Sequence, residues 1–337
     1  MGKKIGKQTV VFDNRAQIVG KSAIVGAKEG QGNFGKYFDN VLKYDDFGED
    51  TFEKAERKML EFAISKAMED ALLEEADIDL MLCGDLLNQI ISSSFAARNF
   101  DFTFLGMYGA CSTMAETIAV GSCFMDAGYF NNVICATGSH FSTAERQYRN
   151  PLELGNQRPH VSQWTVTGAG CTILGHNKTS NIYVNSATFG KVTDFGIKDV
   201  NNMGAAMAPS AMSTMVAHFE DTKTNPEYYD LIITGDLGKL GSEILLDLME
   251  NKGYKLGVNY NDCGHMMFNS KQKTFQGASG AGCSATILNS YVFNKMNNGS
   301  YKRVLFVATG ALLSTLSSQQ GETIPGISHA VEFCVGV

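Results

Sequence analysis

The sequence predicts an α/β protein built from two copies of one unit, and three observations carry that prediction. Residues 79–86 read Asp-Leu-Met-Leu-Cys-Gly-Asp-Leu, and residues 230–237, 151 positions later, read Asp-Leu-Ile-Ile-Thr-Gly-Asp-Leu. Gly109-Ala110-Cys111-Ser112 is matched by Ala281-Gly282-Cys283-Ser284, and Ala136-Thr137-Gly138 by Ala308-Thr309-Gly310, both at an offset of 172. Around each landmark, short apolar runs of strand type alternate with longer segments of helical period, the pattern of an α/β chain. A repeat that occurs twice at so long a period is a duplicated domain and not a solenoid. The two offsets differ by 21, which places an insertion of that length in the second half.

The elements follow in order. Residues 10–12 and 18–27 read as strands, and the glycines at 26, 30, 32 and 35 form a loop whose spacing fits neither a dinucleotide nor a P-loop fingerprint. Asp50-Thr51 caps a helix predicted to run to about Ala76, with Phe52, Ala55, Met59, Phe62, Ala63 and Leu72 near helical spacing. Residues 80–83 form a buried strand and residues 90–97 a helix. A strand pattern at 102–108 leads into Cys111 and a small-residue helix that stops at Gly128. Residues 133–135 are a strand. Residues 141–164 are polar and irregular, rich in arginine and aromatic side chains, and read as an ordered lid, since long loops inside compact domains are usually functional. Strands at 165–175 and 182–188, a helix at 205–219, a strand at 231–234, helices at 239–251 and 280–296 and a strand at 304–307 complete the duplicate. A polar tail precedes a last strand at 330–335. The division predicted is 1–178 for the first half, containing the 141–164 lid, and 179–337 for the second.

Of 337 residues, 44% are hydrophobic and 19% charged, which supplies ample core, and the net charge of −7 argues against a nucleic-acid partner. No stretch approaches the roughly 20 apolar residues that span a bilayer, and the basic N-terminus lacks the apolar segment of a secretion signal. Synthesis in a cytosol is expected. The eight cysteines show no Cys-x-x-Cys metal spacing and read as free thiols in a reducing compartment, so neither metal nor cofactor is expected.

A cysteine on the first turn of a helix faces unpaired N–H groups and the positive end of the helix dipole, which favour thiolate. Cys111 is thus a candidate nucleophile, with a buried structural thiol as the alternative. The duplicated unit with its cysteine at a helix N-terminus resembles the thiolase superfamily, and the ketoacyl synthase III branch in particular. That resemblance implies a five-layered αβαβα sandwich with the cysteine helix between two sheets, and a dimer formed through strands of the first half. At finer grain, residues 139–147, 155–159, 163–170 and 319–330 resemble the stage V sporulation AD family of spore-forming bacteria. This second resemblance implies a dipicolinic acid-binding role in uptake into the developing spore, a place in spore germination, membrane-protein partners in one transport complex, and a location peripheral to the spore inner membrane.

Thioester condensation needs a thiolate, a His and an Asn or second His, and an oxyanion hole. Cys111 matches the nucleophile. Where the synthases carry the His, this chain reads Thr234-Gly235-Asp236-Leu237, and Ala278 stands where they carry the Asn. A non-catalytic ligand-binding protein is therefore the first expectation. Two others stay open: an acyltransferase or condensing enzyme using Cys111 with a rewired site, in which His140, His265 or His329 takes over, and an assembly scaffold with a relic pocket. The candidate ligand-binding residues are Cys111, His140, Arg146, Arg158, Ser279 and His329. Two helix N-termini, at Cys111 and near 279–283, would present N–H groups to an anion. Arg146, Arg149 and Arg158 would supply carboxylate contacts, and Trp164 and Tyr148 a stacking surface. Each arginine and histidine also has a structural reading, as an ion pair or a satisfied core residue. A metal at Asp262, Cys263 and His265 is disfavoured, because adjacent ligands seldom point inward together.

Overall fold

Two runs of five strands carry the architecture in the computed structural model, which describes residues 2–148, 157–176 and 180–336. The first run is β1 (Gln17–Val25), β2 (Leu80–Gly84), β3 (Phe104–Gly106), β4 (Val133–Ser139) and β5 (Gly168–Gly175). The second is β6 (Ile182–Thr188), β7 (Leu231–Thr234), β8 (Tyr260–Asp262), β9 (Arg303–Ala311) and β10 (Gly326–Val335). In space the first run is ordered β1-β5-β4-β2-β3 and the second β6-β10-β9-β7-β8, so the two orders correspond strand for strand. The senses correspond too: β5 and β10 are antiparallel to both neighbours, and the remaining pairs in each run are parallel. The runs meet edge to edge through one pair, Gln17 opposite Tyr183, and a hairpin of Lys3–Ile5 and Thr9–Val11 adds onto β6.

The principal helices are α1 (Phe52–Ala71), α2 (Ile91–Ala97), α3 (Thr113–Asp126), α4 (Phe141–Tyr148), α5 (Met203–Thr222), α6 (Gly238–Asn251), α7 (Cys263–Met267) and α8 (Ala281–Ile287), with short helical turns at Ala27–Gly30, Phe293–Asn297 and Thr315–Gln319. Side-chain alternation along the strands explains the layering. Leu80, Leu82, Val133 and Cys135 point into a central core shared with Met114, Ile118 and Cys283. Their neighbours Met81, Cys83, Ile134 and Ala136 point into a second core with Met59, Leu60 and Ile64 of α1. In the second run Ile233, Val304 and Phe306 face the central core, while Ile232, Leu305 and Val307 face a third core with Met207, Ala211 and Met215 of α5. Because both faces of each strand are covered, these strands read as continuous apolar runs instead of alternating ones. Helix α3 touches strands of both runs, α8 lies on β4 and β5, α1 covers the outer face of the first run and α5 that of the second. The result is five layers, αβαβα.

Several boundaries differ from expectation for local reasons. Thr51 caps α1 through its hydroxyl, which accepts from the Lys54 N–H at 3.3 Å, but the helix ends at Ala71 because Leu72 takes a left-handed conformation at φ 56°. The helix predicted over 280–296 is interrupted by a π-turn at Leu288–Val292, where the Asn289 amide donates to the Ala285 carbonyl at 3.0 Å. The segment predicted as an irregular lid begins with α4, whose residues Thr143 and Ala144 are buried. The last strand starts at Gly326, four residues before its predicted start.

Candidate functional site

The cysteine stretch packs where the C-terminal ends of β2, β4 and β9 converge. Cys111 precedes α3 and is not on its first turn. A tight turn reaches it: the Ser112 N–H and hydroxyl both donate to the Gly109 carbonyl, at 3.0 and 2.7 Å, and the Thr113 hydroxyl donates to the Ala110 carbonyl at 2.7 Å. Ala110 is left-handed at φ 51°. Gly310 of β9 backs against this turn so closely that a Cβ there would lie 2.3 Å from the Gly109 carbonyl oxygen. The turn therefore needs a glycine behind it.

The Cys111 side chain is 6% exposed and lies against the carboxylate of Asp236, which follows β7. Asp236 is fully buried and its other contacts are specific. It accepts from the Thr309 hydroxyl at 2.7 Å, the Ser279 hydroxyl at 2.9 Å and the Gly280 N–H at 3.2 Å. Burial pushes its carboxyl up to about 6 despite the donors from Thr309, Cys111 and Ser279. Burial, and then the adjacent Asp236, hold the Cys111 thiol well above the ordinary thiol range. This reverses the expectation of a thiolate, since a neighbouring anion and desolvation both favour the neutral thiol.

The same geometry removes the second helix N-terminus as an anion site. The Gly280 N–H is taken by Asp236, and the Gly282 N–H donates to the Ser139 hydroxyl at 3.0 Å. Gly280 sits at φ 101°, and a Cβ there would meet the Ser139 hydroxyl at 2.8 Å and the Thr165 methyl at 2.9 Å.

Cys111, Ser279 and Gly280 form one wall of a narrow inner chamber of about 30 Å³, room for roughly one water molecule. Leu86, Ala144, Met203, Ala311 and Leu313 supply apolar walls, and Tyr108 and Tyr148 stand on the outer side. The two tyrosine side chains are hydrogen-bonded to each other, and they also line an outer hollow of about 320 Å³ with Leu87, Ile90 and Ser314. They thus partition an inner chamber from a surface mouth. No lysine, arginine, histidine or carboxylate among the described residues lines the inner chamber.

Of the predicted ligand residues, Cys111 and Ser279 are brought together and the others lie elsewhere. His140 is buried beside Phe52, its Nε2 donating to the Asp45 carbonyl at 2.9 Å and its Nδ1 accepting from the Ser142 N–H at 3.1 Å. His329 accepts from the Gly190 N–H at 3.2 Å, and burial lowers its pKa to about 4. Both are satisfied core histidines. Arg146 is exposed and pairs with Glu53 at 3.3 Å. Arg158 lies over the rings of Phe141 and Trp164, and its guanidinium donates to the Gln163 carbonyl. Trp164 stacks on Phe141 at 3.7 Å and carries the Lys28 ammonium over its ring, 3.8 Å from the centroid, so the Trp164 ring is already engaged by protein groups. Arg149 lies outside the described residues. Asp262, placed with Cys263 and His265 in the metal alternative, caps α7 and accepts from the His265, Leu237 and Gly238 N–H groups.

Asp236 and Tyr108 are the residues that sequence reading missed. A signal for Asp236 exists: an acid ending a buried strand in both repeats, Asp85 and Asp236, is costly unless held. Asp85 is held as well, accepting from the Ser93 N–H and hydroxyl, both at 2.7 Å. A further buried acid, Glu29, lies in the glycine-rich segment. Its Oε1 accepts from the Thr167 N–H at 3.2 Å, its Oε2 has no partner, and burial raises its pKa to about 8.

A family model described as stage V sporulation protein AD matches residues 6–334. Stage V sporulation protein AD of Bacillus subtilis (strain 168) is 43% identical over 331 residues, covering 98% of each chain. Among solved structures, 3-oxoacyl-[acyl-carrier-protein] synthase III from Aquifex aeolicus VF5 superposes with a TM-score of 0.57 at 12% identity, over 95% of this chain and 99% of that one. Acetamide-bound OleA from Xanthomonas campestris gives 0.62 at 11%, over 96% and 99%. At such identity the structural likeness speaks to the thiolase-like fold alone. The sequence matches, which span almost the whole chain, place it in the stage V sporulation protein AD family.

Proposed function

We propose that this sporulation protein is a non-catalytic carrier that binds dipicolinic acid where the Cys111 chamber opens into the outer hollow, and supports its uptake into the developing spore. The observation that supports the reading is the Cys111–Asp236 pair. A ketoacyl synthase-like cysteine here faces a carboxylate, which together with burial keeps the thiol protonated, and no histidine among the described residues lines the chamber. What remains is a narrow apolar chamber opening past Tyr108 and Tyr148 into the larger outer hollow, where a flat ring bearing polar groups could meet the tyrosine pair. Membrane proteins of the same transport complex, a homodimer and a position on the spore inner membrane belong to this proposal. No helix among the described residues is long and apolar enough to cross a membrane, so any membrane association through those helices would be peripheral or through partners.

Calorimetric titration of the purified protein with dipicolinate tests the reading. Saturable binding that weakens in Tyr148→Phe supports it, and the absence of binding refutes it. Incubation with acyl-CoA followed by intact-mass measurement addresses the acyltransferase alternative; a thioester on Cys111 would reinstate it.

A further inference from the structure

A cationic face stands apart from the Cys111 chamber. It forms where the glycine-rich segment, the residues around Trp164 and the 269–277 segment meet: the Gln272 amide donates to the Lys28 carbonyl at 2.7 Å, and the Gln276 amide to the His160 carbonyl at 2.9 Å. Lys28 and Arg158 both lean on Trp164, their charged groups 3.8 and 5.0 Å from the ring centre, and Lys271 and Lys273 stand exposed on either side of Gln272. Phe275 is 43% exposed and stacks on His160, with ring centroids 4.9 Å apart. Lys273 and Phe275 are both left-handed, at φ 51° and 55°, a conformation that costs non-glycine residues free energy and persists where the surroundings impose it. The backbone thus holds a lysine and an aromatic ring out toward solvent at a local cost.

Counter-charge is scarce there. The chain carries no acidic residue between Asp262 and Glu322, nor between Glu153 and Asp194. Of the two carboxyls acting on Lys28, burial keeps Glu29 neutral up to about pH 8, which leaves Asp45. The ion pairs of the described residues are made by Lys54, Arg57, Lys58, Lys66 and Arg146, and Lys28, Lys271 and Lys273 enter none of them. In a protein of net charge −7, so local an excess of cations turns this face toward an anionic surface.

We propose that this face docks on an anionic phospholipid bilayer, with Lys28, Lys271, Lys273 and Arg158 over the headgroups and the Phe275 ring at headgroup level. The inference rests on the peripheral membrane position proposed above and names the surface that makes the contact. Lysines suit this partner. They are point charges on flexible stems that can follow a mobile array of phosphates, whereas a carboxylate-bearing protein partner is gripped best by arginine forks. An exposed aromatic ring flanked by lysines matches the chemistry of a bilayer interface, where such rings sit among the headgroups. Trp164–Thr165 pairs with Ala278–Ser279, so the face is built on the same ladder as the chamber wall at Ser279.

Co-sedimentation of the full chain with vesicles tests the inference. At about 50 mM salt the protein should pellet with vesicles of equal phosphatidylglycerol and phosphatidylcholine and stay in solution with pure phosphatidylcholine, and about 500 mM salt should release it. Each lysine near such a surface is worth about a fivefold factor in partitioning, so Lys271→Gln combined with Lys273→Gln should weaken binding roughly 25-fold. Lys252→Gln combined with Lys255→Gln is the control and should bind as wild type. These exposed lysines follow the far end of α6, the helix whose first turn donates to the Gln276 carbonyl through the Lys239 N–H. No pelleting with the anionic vesicles overturns the inference and leaves a membrane position through protein partners standing. Equal loss in the two double variants overturns the assignment to this face. Salt-sensitive capture by an immobilised polyglutamate peptide, without vesicle binding, overturns the bilayer as occupant and assigns the face to an acidic protein segment.

Discussion

Replacing Glu29 by glutamine should make the protein more stable at alkaline pH and change it little in acid. Glu29 is fully buried, its Oε2 has no partner, and Asp45 lies nearby, so the folded state holds the carboxyl neutral up to about pH 8 where an exposed glutamate would ionise at 4.5. The folded-state pKa is the higher one. The contribution of this group to stability is therefore fully present below pH 4.5 and is lost as pH rises through 8. At 1.36 kcal/mol per unit, the loss is about 1 kcal/mol at pH 5, about 3 at pH 7 and about 5 at pH 9. Glutamine keeps the oxygen that accepts from Thr167 and carries no titrating proton. With an unfolding entropy near 2 cal/mol/K per residue, the variant should melt about 7 °C above wild type at pH 9 and within about 1–2 °C of it at pH 5. Thermal unfolding of both proteins from pH 5 to 9 is the assay. A melting difference that does not grow with pH, or a variant less stable than wild type at pH 9, would refute the reasoning.

Other consequences can be measured alongside. Cys111 should react with iodoacetamide at pH 7.5 much more slowly than an unfolded-state cysteine, because its thiol is raised by burial and by Asp236; labelling followed by peptide mass mapping reports this, and rapid modification would show a thiolate. Gly280→Ala should cost about 2–4 kcal/mol, since φ 101° is strained for alanine and the new methyl meets Ser139 and Thr165; a denaturant midpoint unchanged from wild type would contradict the backbone assignment. Ser279→Ala should destabilise by about 1–2 kcal/mol by removing a donor from the buried Asp236, with the loss greatest above pH 6, where the carboxylate is charged; a loss independent of pH would mean that Ser279 does not serve the charged form.

Much of this fold is legible because its signals are local and repeated. Residues 79–86 and 230–237 share strand, turn and acid, and the structure places them as β2 and β7 at corresponding positions of the two strand runs. The end of α1 is less legible, since nothing in Leu72 announces a left-handed conformation that only packing imposes. The π-turn is hidden for the same reason. In the site, Cys111 and Ser279 can be found because each sits at a landmark of the repeat. His140, Arg146, Arg158 and His329 stand out for their side-chain chemistry, and proximity in sequence to a strand end does not say which way a side chain turns. His140 turns to the Asp45 carbonyl and Arg158 to an aromatic stack. Set against the synthases Asp236 reads as the absence of histidine, and its match to Asp85 in the other repeat is the signal that marks it. Its presence is the informative fact, because a buried acid sets the protonation of the thiol beside it.

The seam between the two strand runs is a single residue pair, Gln17 opposite Tyr183. Within each run the ladders are long, so backbone hydrogen bonding gives each half its own cooperativity. Across the seam the ladder contributes almost nothing, and the halves are joined elsewhere: α3 packs on strands of both runs, α8 reaches from the second half onto β4 and β5, and Trp164–Thr165 pairs with Ala278–Ser279 as a short parallel ladder. A folding chain would then complete two hydrogen-bonded sheets separately and lock them by burying this helix pair. The segment that carries the chamber's cysteine is thus also a keystone of assembly, and amide exchange should reveal the sheets as two units whose common opening is governed by the side chains of Met114 and Ile118.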